Sequence, residues 1–434
     1  MNITISPLWL LLACLPWPVM ATDIDPPEPA DLLTQSAAVA MALADDPWQR
    51  GSALRERALQ AEAVVAGSLP DPRLTLGAAN FPVDSLSFTQ EPMTQWTVGL
   101  SQRLPRGDSR PLQQHQQRTL AGAEPHARAE RRARLAWQVR QAWLAAGAAE
   151  QRAALLAHER ALLTQLLSLA EVGYASGLRP VGQDDLLRAQ LQLDRVDERQ
   201  LALQQQAQEA RAQLAEWIGP AALQLALPAQ LEALSVASSG AMQVDQIGQH
   251  PALLAMQARI EAAATGVDLA RQQYRPEWLL SAQYGHRGNA PDGRDRADFI
   301  SLAVSVDLPW FTAKRQDPAL AAAADRAEAL RQELALLERQ LRARAAAVQA
   351  ASTRLEQRLA LYDAQLLPRL RQLAQASQAA FQHDAGDFDP VLQAHLSELE
   401  ARQTRLNLQA ELARWQAEGR YLSGVDELAA EGGS

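Results

Sequence analysis

A run of strictly alternating apolar and polar residues, FISLAVSVDLP at positions 299–309, most constrains the fold of this chain. Ile300 and Leu302 fall on one side of an extended chain, and Ser301 falls on the other. A period of two is typical of a strand with one apolar face, and about ten residues allow a tilted strand to cross a bilayer. A second run of this kind, WTVGLSQRLP, lies at positions 96–105. The sequence therefore predicts membrane-length strands.

The segments between these strands are rich in helix-forming residues, and aromatic residues make up only 5 % of the 434-residue chain. Such a composition favours long helices with coiled-coil packing over a thick mixed core. The net charge of −9 and the lack of a basic arm disfavour nucleic acid as a partner. The sequence contains no nucleophile elbow, phosphate-binding glycine loop or histidine pair with ligand spacing. We therefore expect neither an enzyme nor a cofactor.

The pattern of helices and strands occurs twice. Three prolines recur 204 residues later, and the pairs are Pro47 and Pro251, Pro72 and Pro276, and Pro105 and Pro309. Further along, Leu187 and Leu392, and Gly219 and Gly424, are 205 residues apart. A shift that holds to within one residue over half a chain indicates an internal duplication. We predict a first repeat at 22–240, a second at 241–424 and a tail at 425–434, each repeat ordered helix, strand, strand, helix, helix. Strands are expected at 73–81, 94–104, 278–286 and 299–308, and the turns between the two long helices of each repeat at 173–185 and 381–390.

Four strands are too few to form a membrane structure alone. An open sheet edge leaves backbone groups unpaired in hydrocarbon, and known membrane barrels begin at eight strands. Several copies of the chain must therefore pool their strands, and three copies supply twelve. The prediction is a mainly α-helical chain with a small β part, whose helices continue outside the membrane as a shared tube.

The order of elements resembles that of the TolC-type outer membrane efflux proteins over nearly all of residues 31–424. The segments that carry the resemblance are the strand exits QRLPRG (102–107) and DLPW (307–310) and the turns YASGL (174–178) and FQHDAG (381–386). The resemblance implies a homotrimer with a twelve-stranded outer-membrane β-barrel continued by a long periplasmic α-helical barrel. It also implies outer membrane lipid, a periplasmic adaptor and an inner-membrane pump of the RND type as partners.

The loop sequences NFPVD (80–84) and QEPMT (90–94) resemble the heavy-metal cation-efflux (Czc-like) branch of these proteins. This resemblance implies metal cations as cargo. We expect a passive duct that carries substrate from the pump and adaptor across the outer membrane. The sequence leaves open two alternatives, which are the same duct for drugs or type I secretion and a soluble periplasmic coiled-coil scaffold.

The two turns between long helices supply the candidate functional residues. Contacts with the adaptor are predicted at Tyr174, Gly177, Leu178, Phe381 and Gly386, with Phe388 exposed beside them. A trimer repeats each acidic side chain of the turns as a ring of three, which can narrow the duct and favour cations. These acidic residues are Asp184, Asp185, Asp384, Asp387 and Asp389. The alternatives are helix capping by Asp185 and Asp389, and glycines that only permit a tight turn.

An export signal is predicted at 1–21, because a short apolar core precedes the small-residue pattern VMA at 19–21. Lipidation of Cys14, which follows the sequence LLA, is the alternative for this segment. Cys14 is the only cysteine, so we expect no disulfide. Aromatic residues at strand ends predict a girdle at the membrane surface, formed by Trp96, Trp278, Trp310 and Phe311.

Overall fold

The computed structural model of the chain describes residues 32–176, 182–228, 244–383 and 387–424. In this part of the chain, long helices extend from one four-stranded antiparallel sheet. The first half contains α1 (Gln35–Ala44), α2 (Pro47–Gly67), β1 (Arg73–Ala79), β2 (Gln95–Leu104), α3 (Ser109–Ser176) and α4 (Gln183–Ile218). The predicted mainly α-helical fold with a small β part is confirmed.

The second half repeats this order of elements. A short helix, α5 (Ala221–Gln224), and a 3-10 turn (Val244–Gln249) lie between the halves. The second half contains α6 (Pro251–Gln272), β3 (Glu277–Arg287), β4 (Phe299–Asp307), α7 (Gln316–Leu361), α8 (Leu367–Gln382) and α9 (Phe388–Ser423). One π-helical turn, Tyr362–Leu366, joins α7 to α8, so that these segments together correspond to the long helix α3.

None of the helices in the described residues combines the length and the apolarity that crossing a membrane requires.

Equivalent residues begin the helix that precedes the strands in each half. Asp46 caps α2 by accepting a hydrogen bond from the Trp48 amide at 3.3 Å, and Pro47 occupies the first turn. His250, which is 204 residues later, caps α6 through Nδ1, which accepts from the Ala252 amide at 3.2 Å. Proline is favoured in the first turn because the amide it lacks has no helical partner there. The duplication is therefore present in the capping geometry.

The two halves also end on equivalent glycines. Gly219 follows α4 and Gly424 follows α9, with positive φ angles of 62° and 66°. Residues other than glycine are strained in this region because their Cβ approaches the backbone. At Gly424 a Cβ atom would also lie 3.1 Å from Cδ of Pro251, so this turn allows α9 to end against the start of α6.

The central core joins the first helix to the long helices. Trp143 of α3 is 1 % exposed and donates its indole N–H to the carbonyl of Leu33 at 2.8 Å. Leu144 and Leu214, on α3 and α4, pack in the same apolar cluster together with Ala417 of α9. The amide of Leu33 in turn donates to the carbonyl of Ala226 at 2.7 Å. The segment around α5 is thus attached to the middle of the helices.

His250 predicts a pH dependence of stability. Its ring is completely buried, Nε2 lies 3.3 Å from the Tyr421 carbonyl, and Glu130, Arg134 and Tyr421 surround it. Burial lowers the pKa of His250, so the unfolded chain takes up this proton more readily than the folded chain. The free energy of unfolding therefore keeps its full contribution from His250 above the unfolded pKa of about 6.5. This contribution decreases as the pH falls below that value.

Thermal unfolding between pH 8 and pH 5 measures this effect. His250→Asn is the matched variant, because an asparagine caps a helix but does not titrate. We expect the wild-type chain to lose more stability than the variant as the pH falls. Parallel curves for the two proteins would contradict the assignment.

Candidate functional site

The four strands form one sheet in the order β1, β2, β3, β4, and its register places most of the large apolar residues of the strands on one face. One row across the sheet consists of Leu74, Leu100, Ala282 and Leu302. Each of these side chains is exposed, and Leu302 is 80 % exposed. An exposed apolar surface of this extent indicates contact with another apolar medium or protein.

The opposite face of the sheet is mainly polar, and Leu279 and Phe299 are its large apolar residues. The neighbouring row is Thr75, Gly99, Gln283 and Ser301. Within the described residues, β1 pairs only with β2 and β4 only with β3, so the outer edge of each carries unpaired backbone groups. The sheet thus has an apolar face, a polar face and two open edges.

The loops at the end of the sheet distant from the helices are tied together. Asp298 accepts hydrogen bonds from Tyr284 and from the Arg287 amide at 3.0 Å, and these hold the pKa of Asp298 well below its usual range. The guanidinium of Arg287 lies 4.1 Å from the ring centre of Phe299, and Arg296 donates to the carbonyl of Glu91 at 3.0 Å. The loop after β3 is therefore anchored on the loop after β1.

At the other end of the sheet, Arg106 fixes the corner between β2 and α3. Its guanidinium lies 3.7 Å from Glu277 and 3.8 Å from Asp307, and it donates to the carbonyl of Arg275 at 2.9 Å. Arg275 in turn forms an ion pair with Asp108 at 3.2 Å. This polar network sets the direction in which the long helices leave the sheet.

The described residues of the two turns pack together at the far end of the helices. Phe381 of α8 and Phe388 of α9 are 4 % and 1 % exposed, with ring centres 5.7 Å apart. They lie in an apolar cluster with Leu163 of α3 and Ala189 of α4. The expectation that Phe388 is exposed is wrong, because its ring fills the space between the two helical pairs. Phe381 belongs to the same core, and its ring offers a partner almost no surface.

The acidic residues of the turns differ in their surroundings. Asp185 accepts the Gly182 amide at 3.0 Å, which is the helix-capping role. Arg188 lies 3.5 Å from Asp184 and 4.0 Å from Asp389, so one cation joins the two turns. Asp387 is exposed, and its side chain does not cap α9. These contacts favour capping for Asp185 and ion pairing for Asp184 and Asp389.

Of the remaining candidates, one lies in the described residues and five lie outside them. Tyr174 lies near the end of α3 and is about half exposed, which suits a contact residue. The candidates outside the described residues are Cys14, Gly177, Leu178, Asp384 and Gly386. Among the described residues, no three His, Cys, Asp or Glu side chains lie together as metal ligands.

The end of the helices where the two turns lie is called the tip. Next to it, an ion-pair network that could not be predicted from the sequence joins α3 to α9. Arg402 of α9 donates to Glu159 of α3 at 2.6 Å and to Glu398 on its own helix. The side chains of Glu159 and Glu398 are 7 % and 9 % exposed. Glu398 and Arg402 are four residues apart, a spacing that can be read from a helical sequence. The long-range partner Glu159 could only be found in the folded chain.

Replacing Arg402 by methionine is expected to lower the free energy of unfolding by about 2 kcal/mol. The change leaves the buried carboxylate of Glu159 without its cation and leaves Glu398 with Arg371 alone, at 3.6 Å. The effect is below that of a fully buried pair because Arg402 is one-third exposed. Arg405→Met is the matched control, because its partner Asp363 is half exposed, and its effect should stay below about 1 kcal/mol. Chemical denaturation in detergent compares the two, and equal effects would contradict the network.

The fold is similar to that of several solved outer membrane channels. The outer membrane protein VceC from Vibrio cholerae is 19 % identical, with coverage of 90 % of this chain and 96 % of that one, at a TM-score of 0.74. The outer-membrane channel OprN is 19 % identical, with 90 % of each chain covered and a TM-score of 0.74. The open state of the MtrE outer membrane channel of Neisseria gonorrhoeae is 17 % identical, with 90 % and 88 % covered and a TM-score of 0.69.

The chain therefore has the fold of the TolC-type outer membrane efflux channels, as its sequence resemblance predicted. At these identities the similarity establishes the fold alone. No protein-family model and no curated protein sequence matches the chain.

Proposed function

We propose that this protein is the outer membrane component of an export system. It is a passive duct, and an inner-membrane pump and a periplasmic adaptor supply the energy and the connection. The observation that carries the proposal is the sheet, which has one exposed apolar face, one polar face and two open edges. A bilayer suits the apolar face, and an aqueous channel suits the polar face.

The open edges support a homotrimer. Backbone groups at a sheet edge cannot remain unpaired in hydrocarbon, so the outer edges of β1 and β4 need partner strands from other copies. Three copies close a barrel of twelve strands, and the helices α3, α4, α7, α8 and α9 continue it into the periplasm. The polar row that contains Ser301 then faces the water-filled interior.

The tip supports a role in gating and docking. Four helices meet at the cluster around Phe381 and Phe388, so the tip opens only if packed helices move apart. We propose that Tyr174 and the turn residues Gly177, Leu178 and Gly386 contact the adaptor, with Phe381 supporting them from within. Asp387, which is exposed and does not cap α9, supports a negative potential at the entrance that favours cations, whereas Asp184 and Asp389 share the charge of Arg188.

Fractionation and conductance test the duct. We expect the protein to stay in the outer membrane fraction after a carbonate wash, to run as a trimer in mild detergent and to form channels in planar bilayers. A protein that is washed off and forms no channels would instead fit a periplasmic scaffold.

Heavy-metal cations are the proposed cargo, on the strength of the loop resemblance at 80–84 and 90–94. A deletion strain should become more sensitive to zinc, cobalt, cadmium or copper, and the wild-type gene should restore tolerance. Sensitivity to antibiotics with unchanged metal tolerance would assign the duct to a drug pump.

A further inference from the structure

The two halves of the chain are equivalent, so each contact between them predicts a second contact in which the halves exchange roles. Inside the chain, α3 packs against both α2 and α6, and α6 packs against both α3 and α7. Among the described residues, α2 and α7 make no contact with each other. A ring of alternating halves requires this contact, because α7 and α2 stand in the same relation as α3 and α6. The chain thus has two unpartnered helix faces that complement each other.

The exposure of side chains follows the same pattern. Val64 and Val65 of α2 and Leu69 after it are exposed, Val65 to 75 %. At the opposite edge of the sheet, and at the same end of the strands, the corner between β4 and α7 exposes Trp310 to 76 % and Phe311 to 88 %. Both surfaces are apolar, and each lies beside one open edge of the sheet.

The equivalent corner in the first half shows what such a corner contacts. Arg106 and Gly107 occupy the positions 204 residues before Trp310 and Phe311. Arg106 donates to the carbonyls of Gln273 and Arg275 at 3.3 Å and 2.9 Å. A Cβ atom on Gly107 would lie 2.4 Å from Cδ of Arg275. The first corner is therefore closed against the segment between α6 and β3.

The duplication places Leu69 and Asp71 where the second half has Gln273 and Arg275. The same shift carries the observed pair of Leu104 and Trp278 onto Leu308 and Leu74. Leu308 and Leu74 lie on the apolar side of the sheet, so pairing β4 with the β1 strand of another copy keeps the apolar face continuous. The register and the exposed corner thus point to the same neighbour.

We propose that Trp310 and Phe311 of one copy dock on residues 64–71 of the next copy, between its α2 and β1. The occupant of this surface is a second copy of the chain. The aromatic pair replaces the arginine-centred network of the first corner, so the contact between copies is apolar where the contact within a chain is polar. The inference rests on the proposed function, because it assumes the pooled sheet.

Photo-crosslinking from position 311 tests the docking in the full chain. Benzoylphenylalanine at Phe311 is expected to shift the chain to dimer and trimer bands, with adducts on residues 64–71 of another copy. The same probe at Leu201, which is 69 % exposed on α4, should give no adduct in that segment. An adduct only with lipid, or only within the same chain, would overturn the docking.

A cysteine pair provides the second measurement. Phe311→Cys combined with Asp71→Cys should form disulfide-linked dimers and trimers, whereas either single variant should remain monomeric on a non-reducing denaturing gel. A trimer in mild detergent without either cross-link would refute the docking and leave the duct standing. Loss of the trimer from the wild-type protein would refute the duct, and the docking with it.

Discussion

Leu302→Arg is expected to prevent stable insertion of the protein into the outer membrane. Leu302 is 80 % exposed on the apolar face and lies in the row with Leu100 and Ala282, in the middle of the strands. A cationic side chain at the bilayer midplane of a membrane sheet costs about 2–4 kcal/mol, and the proposed trimer would carry three of them. We expect most of the variant to be degraded or to remain outside the outer membrane fraction, as measured by fractionation and immunoblotting.

Ser301→Arg is the matched control for this prediction. Ser301 is the adjacent residue of the same strand, but it lies on the polar face in the row with Gln283. In the proposed barrel the same side chain there faces water, so insertion should be normal and only conductance or ion selectivity should change. Equal insertion of the two variants would show that the apolar face is not in contact with lipid.

Phe388→Ala is expected to destabilise the tip by about 3–5 kcal/mol, the range for removing a buried phenylalanine. The ring is 1 % exposed and packs between the helical pairs against Phe381, so its loss leaves a cavity where four helices meet. Hydrogen exchange should increase in the helix ends near the turns, and spontaneous conductance in planar bilayers should rise because the tip opens more readily.

Tyr174→Ala tests contact with the adaptor separately from packing of the helices at the tip. Tyr174 is about half exposed, so its loss should leave hydrogen exchange at the tip within the range of ordinary surface substitutions. If Tyr174 contacts the adaptor, export should fall although the tip stays intact. Increased exchange in this variant, or protected tip helices in Phe388→Ala, would contradict the assignment of the two roles.

Much of the fold could be predicted from the sequence because its signals are periodic and repeated. The alternation at 299–309 predicted β4, and the recurring prolines predicted the duplication, which the capping pairs Asp46 and His250 follow in three dimensions. Strand ends were less accurate. The first strand ends at Ala79 rather than at 81, since Asn80 adopts a positive φ angle of 56° and the chain turns there.

The candidate site was harder to predict, because its residues meet only across long sequence separations. Phe388 lies next to a turn, and a turn is usually exposed, but here two helical pairs close over its ring. Arg402 and Glu159 are 243 residues apart. Arg188 joins the two turns of the tip although only its pairing with Asp184 follows from helical spacing.

By itself, the sequence determined the strands, the helices and the duplicated order, because a period of two and a long helical pattern are local properties of a chain. It also predicted that the four strands need further copies, since a bilayer tolerates no open edge. Only the tertiary structure decided that Leu74, Leu100, Ala282 and Leu302 form one apolar row, because strand register is set by pairing. Packing likewise decided that Phe388 is buried and that Trp310 and Phe311 remain exposed, which leaves a surface for another copy.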